Sequence, residues 1–329
     1  MRIALDAMGG DRGPTVPVEG AIKALDRTEH EIILVGDGAA LEPLLAARDV
    51  HDRRLKIVHA SQVVDMHERP KDSLKKTDSS IQVAMCLVKS GQADAVVSAG
   101  HTGAAVASAI MTWRSLPGIH RPAIAWRIPA REIPTVLLDV GATVDCKPIH
   151  LYQFAVMGAA FVEHVMGVQN PTVGILNIGE EASKGNEVTY EAAELLKKSR
   201  LSFQGNAEGR DILSGEFNVV VCDGFIGNII LKFAEALAQW LMASLKGEVN
   251  KSTLATLGAL AMRPALQSFK KRIDYAEYGG APLLGLNGVC IICHGSSNSK
   301  AIANAIRVAG EMARQELNKH ILAKLREGK

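Results

Sequence analysis

The chain has few aromatic side chains, 4% of its 329 residues. That leaves little material for the ring platforms on which proteins stack unpaired bases. It also lacks an excess of either charge: 37 Lys and Arg stand against 35 Asp and Glu, a formal charge of +2. A nucleic-acid partner has no global footprint here, so any charged partner must be met by a local patch. No uninterrupted apolar run is long enough to span a bilayer, and no basic, apolar and cleavage-site series opens the sequence. A cytoplasmic protein is expected. The patterns H-E-x-x-H, paired C-x-x-C and G-x-S-x-G are missing as well, which speaks against zinc sites and serine hydrolysis. Gly36-Asp37-Gly38 does not complete G-x-G-x-x-G, so a standard dinucleotide fingerprint is absent. Neither a metal nor a cofactor is expected.

Cysteines are five: Cys86, Cys146, Cys222, Cys290 and Cys293. An odd number without a secretion signal suits reduced thiols. Cys290-Ile291-Ile292-Cys293-His294 spells a haem-attachment motif, but inside an apolar run. On a strand, residues three apart face opposite ways, so these two thiols are expected to diverge as small core residues.

What the chain does have is a recurring unit of apolar strand, glycine turn and helix. Its plainest instance spans residues 93–110, where Ala95-Val96-Val97-Ser98 leads through Gly100-His101-Thr102-Gly103 into an Ala-rich helix. Such a turn is either an ordinary βα connection or a seat for an oxyanion, since a helix N-terminus offers unpaired N–H groups and a positive dipole end. Strands at 2–6, 31–35, 135–140, 173–178, 218–222 and 289–293 repeat the pattern, each followed by a turn and a helix. The third of these turns follows Asp139. Apolar strands alternating with helices predict an α/β fold, a mostly parallel sheet covered by helices. Ligands then gather at the carboxyl ends of strands, where several of these turns should converge.

From 228 to 272 the rhythm breaks. Two helical stretches are expected, with a polar turn at 247–252 and Pro264 interrupting the second. They form a protruding hairpin within a single domain of residues 1–329. Either this hairpin packs against a partner subunit, or it is an amphipathic surface device, with Arg263, Lys270, Lys271 and Arg272 as its basic flank. Lys184, just ahead of a helix in Gly179-Glu180-Glu181-Ala182-Ser183-Lys184-Gly185, is either a solvated lysine or a holder of oxyanions. Asp223-Gly224-Phe225-Ile226-Gly227-Asn228 places a carboxylate and a carboxamide on a crevice rim, and Asn228 is either a helix cap or a functional amide.

The segments DAMGGD, SSIQVAMCLVKSGQADAVVSAGHTGA, GIHRPAIA, LLDVGATVDCKP, LNIGEEASKGNE, GNAEGRDI, VVVCDGFIGNIILK, YGGAPLLGL and HGSSN follow one another over nearly the whole length. In that order they resemble the phosphate acyltransferase family called PlsX. The resemblance implies a fold like isocitrate and isopropylmalate dehydrogenases and phosphotransacetylases. It implies acyl transfer from acyl-acyl carrier protein to inorganic phosphate for bacterial phospholipid synthesis, by a homodimer held peripherally on membrane. Lys184, Asn228 and His101 are then the candidate catalytic residues. Asp6, Gly9, Gly10, Ser98, Gly100, Thr102, Gly103, Asp139, Asp223, Gly227 and His294 are candidates for holding phosphate or substrate. Arg263, Lys270, Lys271 and Arg272 would meet the acidic carrier protein or an anionic membrane surface. Two departures stand out: His101 where the family commonly has asparagine, and Thr77 where a basic residue often stands. A nicotinamide-dependent dehydrogenase of the same general fold is the rival reading.

Overall fold

A computed structural model describes the backbone of residues 1–130, 133–273 and 275–327, with the side chains of Lys270, Arg272, Ile273 and Tyr275 outside the described set. The first half of the chain runs β1 (Arg2–Asp6), α1 (Thr15–Leu25), β2 (Glu31–Gly36), α2 (Gly38–Ala46), β3 (Leu55–His59), α3 (Pro70–Ser73), α4 (Ser80–Lys89), β4 (Ala95–Ser98) and α5 (Thr102–Trp113). The middle follows with β5 (Ala123–Ile128), β6 (Thr135–Leu138), α6 (Pro148–His164), β7 (Thr172–Leu176), α7 (Glu187–Lys197), β8 (Ser202–Ala207) and β9 (Val219–Val221). Three successive helices come next, α8 (Gly224–Val249), α9 (Thr253–Ala261) and α10 (Arg263–Ile273). The chain closes with β10 (Ala281–Leu284), β11 (Cys290–Ile292), α11 (Ser299–Arg314) and α12 (Leu317–Glu327).

All these strands join one eleven-stranded sheet in the order β3-β2-β1-β4-β11-β10-β5-β6-β9-β7-β8. The fold is α/β and mostly parallel, as the alternation predicts. The sheet has two parallel blocks, however, and they run in opposite directions. Strand β10 is antiparallel to both β11 and β5, and β5 is antiparallel to β6. The expectation that the glycine turns share one crevice therefore holds only near this junction, because away from it the carboxyl ends of the two blocks lie at opposite edges.

Side-chain alternation divides the core into two layers. Ile3, Leu5, Val97, Val136 and Leu138 pack with α1, α6, α11 and α12 on one face. Ala4, Val96 and Leu137 pack with α4 and α5 on the other. Cys293 belongs to the first layer and Cys290 to the second, so the two thiols diverge and are buried. Burial pushes the Cys293 thiol up to about 12 and that of Cys290 further still.

The helical hairpin differs from its expected form. Helix α8 is unbroken for 26 residues and runs through Gly247, so the turn is confined to residues 250–252. The second arm breaks at Met262 rather than at Pro264. As the second residue of α10, Pro264 removes an N–H that the first helical turn leaves unpaired anyway. By length and composition α8 could also cross a membrane, contrary to the expectation from apolar runs; its most apolar window has a mean hydropathy of 1.2.

The start of α8 fixes its position. A Cβ at Gly227 would lie 1.9 Å from the carbonyl oxygen of Asp139, and one at Gly224 would lie 2.7 Å from both Asp139 Oδ2 and the Thr143 carbonyl oxygen. The first turn of α8 thus lies directly on the turn that follows β6. Gly227→Ala is expected to cost about 3 kcal/mol or more, since overpacking here meets backbone. Gly247→Ala, where an added Cβ meets nothing within 4 Å, should instead gain ~0.5–1 kcal/mol of helix propensity. Thermal unfolding of the two variants beside the unaltered chain measures both.

Candidate active site

A cavity of about 320 Å³ opens at the junction of the two blocks. Its apolar wall includes Ile124, Trp126, Leu231 and Ile292. Its polar wall draws on turns from both blocks: Thr102 and Gly103 open α5, His294 follows β11, Gly141 follows β6, and Asn228 stands on α8. Lys232 and Glu235 continue the Asn228 face of α8. Residues four and seven apart share one side of a helix, which is why all three enter the same space.

Within this cavity, Lys232 Nζ lies 2.9 Å from Glu235 Oε2 and 2.9 Å from His294 Nε2. His294 Nδ1 lies 2.7 Å from Ser296 Oγ. An ammonium group can only donate, so Nε2 is the acceptor of that contact, while Nδ1 faces both the Ser296 hydroxyl and the Ser296 backbone N–H, which lies 3.2 Å away. Arg127 also lines the cavity, its guanidinium carbon 5.3 Å from the centre of the Tyr278 ring. Its Nε is buried without a hydrogen-bond partner among the described residues. Burial, aided by Arg307, lowers the Arg127 pKa. Lys232 and Arg127 were not singled out from sequence. The available signal for Lys232 was its spacing of four from Asn228 in the segment VVVCDGFIGNIILK.

Other expected site residues hold the cavity in place rather than line it. Asp139 is fully buried; Oδ1 accepts from the N–H groups of Ile124, Gly141 and Ala142, and Oδ2 accepts from Thr143 at 2.6 Å. Burial pushes its carboxyl up to about 6, opposed by these backbone donors. Asp223 is the N-cap of α8, its Oδ1 accepting from Ile226 N at 2.8 Å. Asn228 is therefore not the cap, and one of its two readings falls away. Gly227 serves the close contact with Asp139 described above.

A second group sits beside the cavity, around Asp6. This carboxylate accepts from Ser80 Oγ at 2.6 Å and Ser98 Oγ at 2.7 Å, joining β1, α4 and β4. Burial raises its pKa, against the two serine hydrogen bonds. Gly9 lies so close that a Cβ there would be 2.7 Å from Gly100 N and 2.8 Å from Asp6 Oδ2. Gly100 N donates to Ser98 Oγ at 3.1 Å. Gly10 has φ +103° and faces the carbonyl of Gly295. The space left among Asp6, Gly9, Ser98, Gly100 and His101 is about 10 Å³, no more than ~1 water molecule needs. These residues fasten the loops together.

His101 caps α5, its Nδ1 accepting from Ala104 N at 3.1 Å. An asparagine side-chain oxygen performs the same service, so the departure at this position keeps the cap. Lys184 stands apart from Asn228. It lines an edge cleft of about 350 Å³ with Tyr190, Phe203 and Asn206. Strand β7, which feeds its loop, pairs directly with β9, which feeds α8. Arg263 and Lys271 are exposed on α10, while the side chains of Lys270 and Arg272 lie outside the described residues.

The family described as "Fatty acid synthesis protein" matches residues 1–320. A phosphate acyltransferase of Geobacter sulfurreducens is 51% identical over 326 residues, covering 99% of this chain and 94% of that protein. One from Aquifex aeolicus is 49% identical over 327 residues, 99% of this chain and 97% of that protein. Among solved structures, a phosphotransacetylase from Streptococcus pyogenes superposes with a TM-score of 0.66 at 20% identity, over 95% of this chain and 94% of that one. A 4-hydroxythreonine-4-phosphate dehydrogenase from Klebsiella pneumoniae gives 0.56 at 13% identity, over 95% and 99%. At these identities the two structures speak for the fold alone.

Two substitutions test the assignments to support. Asp6→Ala strands the Ser80 and Ser98 hydroxyls and should cost about 2–4 kcal/mol. His101→Ala should cost ~1 kcal/mol while His101→Asn leaves stability unchanged. Denaturant or thermal unfolding of the purified variants measures each.

Proposed function

The chain belongs to the phosphate acyltransferase family, PlsX, and we propose that it transfers an acyl group from acyl carrier protein to inorganic phosphate, supplying acyl phosphate for phospholipid synthesis. One observation carries this reading. A single cavity joins an apolar wall to a helix N-terminus, a carboxamide, an imidazole and an ammonium. The apolar side suits an acyl chain, and the polar side suits phosphate and a thioester carbonyl.

Phosphate brings its own attacking oxygen, so no covalent nucleophile is required of the protein. The task is to hold that oxygen against the carbonyl carbon and to stabilise the tetrahedral oxyanion. The N–H groups at the start of α5, at Thr102 and Gly103, receive phosphate. The Asn228 amide donates to the oxyanion. Lys184 lines the edge cleft rather than this cavity, so it adds positive charge when its loop, whose residues 180–187 are all exposed, carries it to the bound substrate. The dehydrogenase alternative has fold similarity in its favour, at 13% identity, but no dinucleotide fingerprint in the sequence.

Partners follow from surfaces. Phe225, Ile229, Phe233, Trp240 and Leu241 on α8 and Leu254, Leu257 and Leu260 on α9 are exposed. Soluble monomers rarely expose so much contiguous apolar surface. We assign part of this face to a second copy of the chain, in a homodimer. The second arm of the hairpin, with Arg263 and Lys271 exposed on α10 and Lys270 and Arg272 in the same segment, is assigned to acidic carrier protein and anionic membrane, giving a cytoplasmic protein peripherally bound to membrane.

Phosphate-dependent release of free thiol from long-chain acyl carrier protein tests the reaction; no release would end this reading. Lys184→Ala should lower turnover about a hundredfold, the cost of ~3 kcal/mol of oxyanion stabilisation, with an unchanged melting curve. Asn228→Ala should likewise slow turnover without loss of stability, since Asp223 remains as the cap. Near-normal turnover by either folded variant removes that residue from the chemistry. Replacing Lys270, Lys271 and Arg272 with Glu should weaken binding to anionic vesicles and raise KM for carrier protein, most at low salt, with the dimer intact by size exclusion.

A further inference from the structure

The contact between Lys232 and His294 is unusual for two exposed side chains that line a cavity. Lysine ammonium groups on protein surfaces ordinarily face carboxylates or water. Here Nζ has Glu235 on one side, at 2.9 Å, and the bare Nε2 of a histidine on the other, at 2.9 Å. The ring is held from behind by Ser296 Oγ at 2.7 Å from Nδ1. The residues come from elements far apart in sequence, α8 and the turn after β11, and meet at the polar wall beside Asn228 and the start of α5.

The reaction proposed above has one proton to relocate. Hydrogen phosphate carries it on oxygen at the start, and the released thiol carries it on sulfur at the end. A group that can accept this proton and give it back must present an unprotonated lone pair toward the cavity. His294 Nε2 has that lone pair, at present occupied by the Lys232 ammonium. Phosphate, doubly negative, is a stronger partner for an ammonium than a neutral imidazole is.

We propose that Lys232 and His294 act as the proton-handling pair of the phosphate seat: Lys232 turns from Nε2 to bind the incoming phosphate, and His294 Nε2, thereby freed, takes the phosphate proton and delivers it to the leaving sulfur. The proposal rests on the acyl-transfer reading. As the phosphate oxygen bonds to the thioester carbon, its proton passes to Nε2. Collapse of the tetrahedral species breaks the carbon–sulfur bond, and the imidazolium protonates the departing thiolate. Acyl phosphate and thiol are the only products, and His294 returns to its starting state. Glu235 keeps Lys232 at the wall between turnovers and acts as a positioning residue.

Steady-state kinetics of the full chain with phosphate and long-chain acyl carrier protein separate the two roles. Lys232→Met should raise KM for phosphate about tenfold or more with KM for carrier protein within about twofold, and Lys232→Arg should recover part of the loss. His294→Asn should lower kcat about tenfold or more, with phosphate KM within about twofold. An acyl thioester of an acidic aryl thiol, whose thiolate leaves without a proton, should shrink the His294→Asn defect at least about threefold. The proposal is overturned if the unaltered chain is active while both variants keep its kcat and phosphate KM. It is also overturned if the His294→Asn defect is the same with either leaving group. If the unaltered chain itself releases no thiol in response to phosphate, the acyl-transfer reading falls and this pair with it. Both side chains are exposed, so the variants should melt with the unaltered chain; His294→Gln serves as the second variant if His294→Asn does not.

Discussion

The approach of α8 to the Asp139 turn is the constraint on which the cavity depends. Asp139 gathers four backbone N–H groups from β5 and from residues 141–143, which closes the turn and presents its carbonyl outward. Gly224 and Gly227 then let the helix backbone rest on that surface at distances no side chain would allow. Once the first turn is seated and Asp223 has capped it, the direction of the whole helix is set. Asn228, Lys232 and Glu235 enter the cavity because they share the face that this seating turns inward. A fully buried carboxylate thus decides where Asn228, Lys232 and Glu235 point.

The same economy governs the other block of the sheet. Asp6 ties two serines from separate elements, and Gly9 lets the loop after β1 press against Gly100. That pressure aims the start of α5 at the cavity. The loop after β11 joins in through Asp11 N, which donates to the Gly295 carbonyl at 2.9 Å. Buried acids and glycines do the holding; exposed Asn, Lys and His face the open space.

Much of this was legible in the chain. Strand β1 begins and ends where the apolar pattern places it, and β4, β6, β7, β9 and β11 fall within a residue or two of their expected limits. These strands are central and apolar, so hydrophobicity alone reveals them. The strands that escaped notice carry weaker marks. Strand β5 includes Trp126 and Arg127, β10 includes Pro282, and the two edge strands, β3 (LKIVH) and β8 (SFQGNA), carry polar residues. Because β5 and β10 were missed, so was the reversal of direction they bring about. Of the candidate site residues, His294, Asn228, Thr102 and Gly103 meet in one cavity. Asp6 and Asp139 are central to the structure for another reason: acid side chains before glycine turns look alike in sequence whether they face a ligand or the backbone behind it. Lys232 was hidden because its meaning depends on which side of α8 faces inward, a fact of packing rather than of pattern.

The position of β10 and β11 in the sheet has a consequence for how the chain is made. These strands lie between β4 and β5, so residues 281–292 separate partners that were synthesised long before, near positions 96 and 124. A ribosome working from the first residue onward produces both blocks of the sheet before the pieces that join them exist. Until then β4 and β5 each expose an unpaired apolar edge, a surface that invites association with other chains. Closure over so many residues is slow. The junction that houses the cavity is thus the last part of the sheet able to form, and a nascent chain stalled short of residue 281 would have both flanks and no site between them.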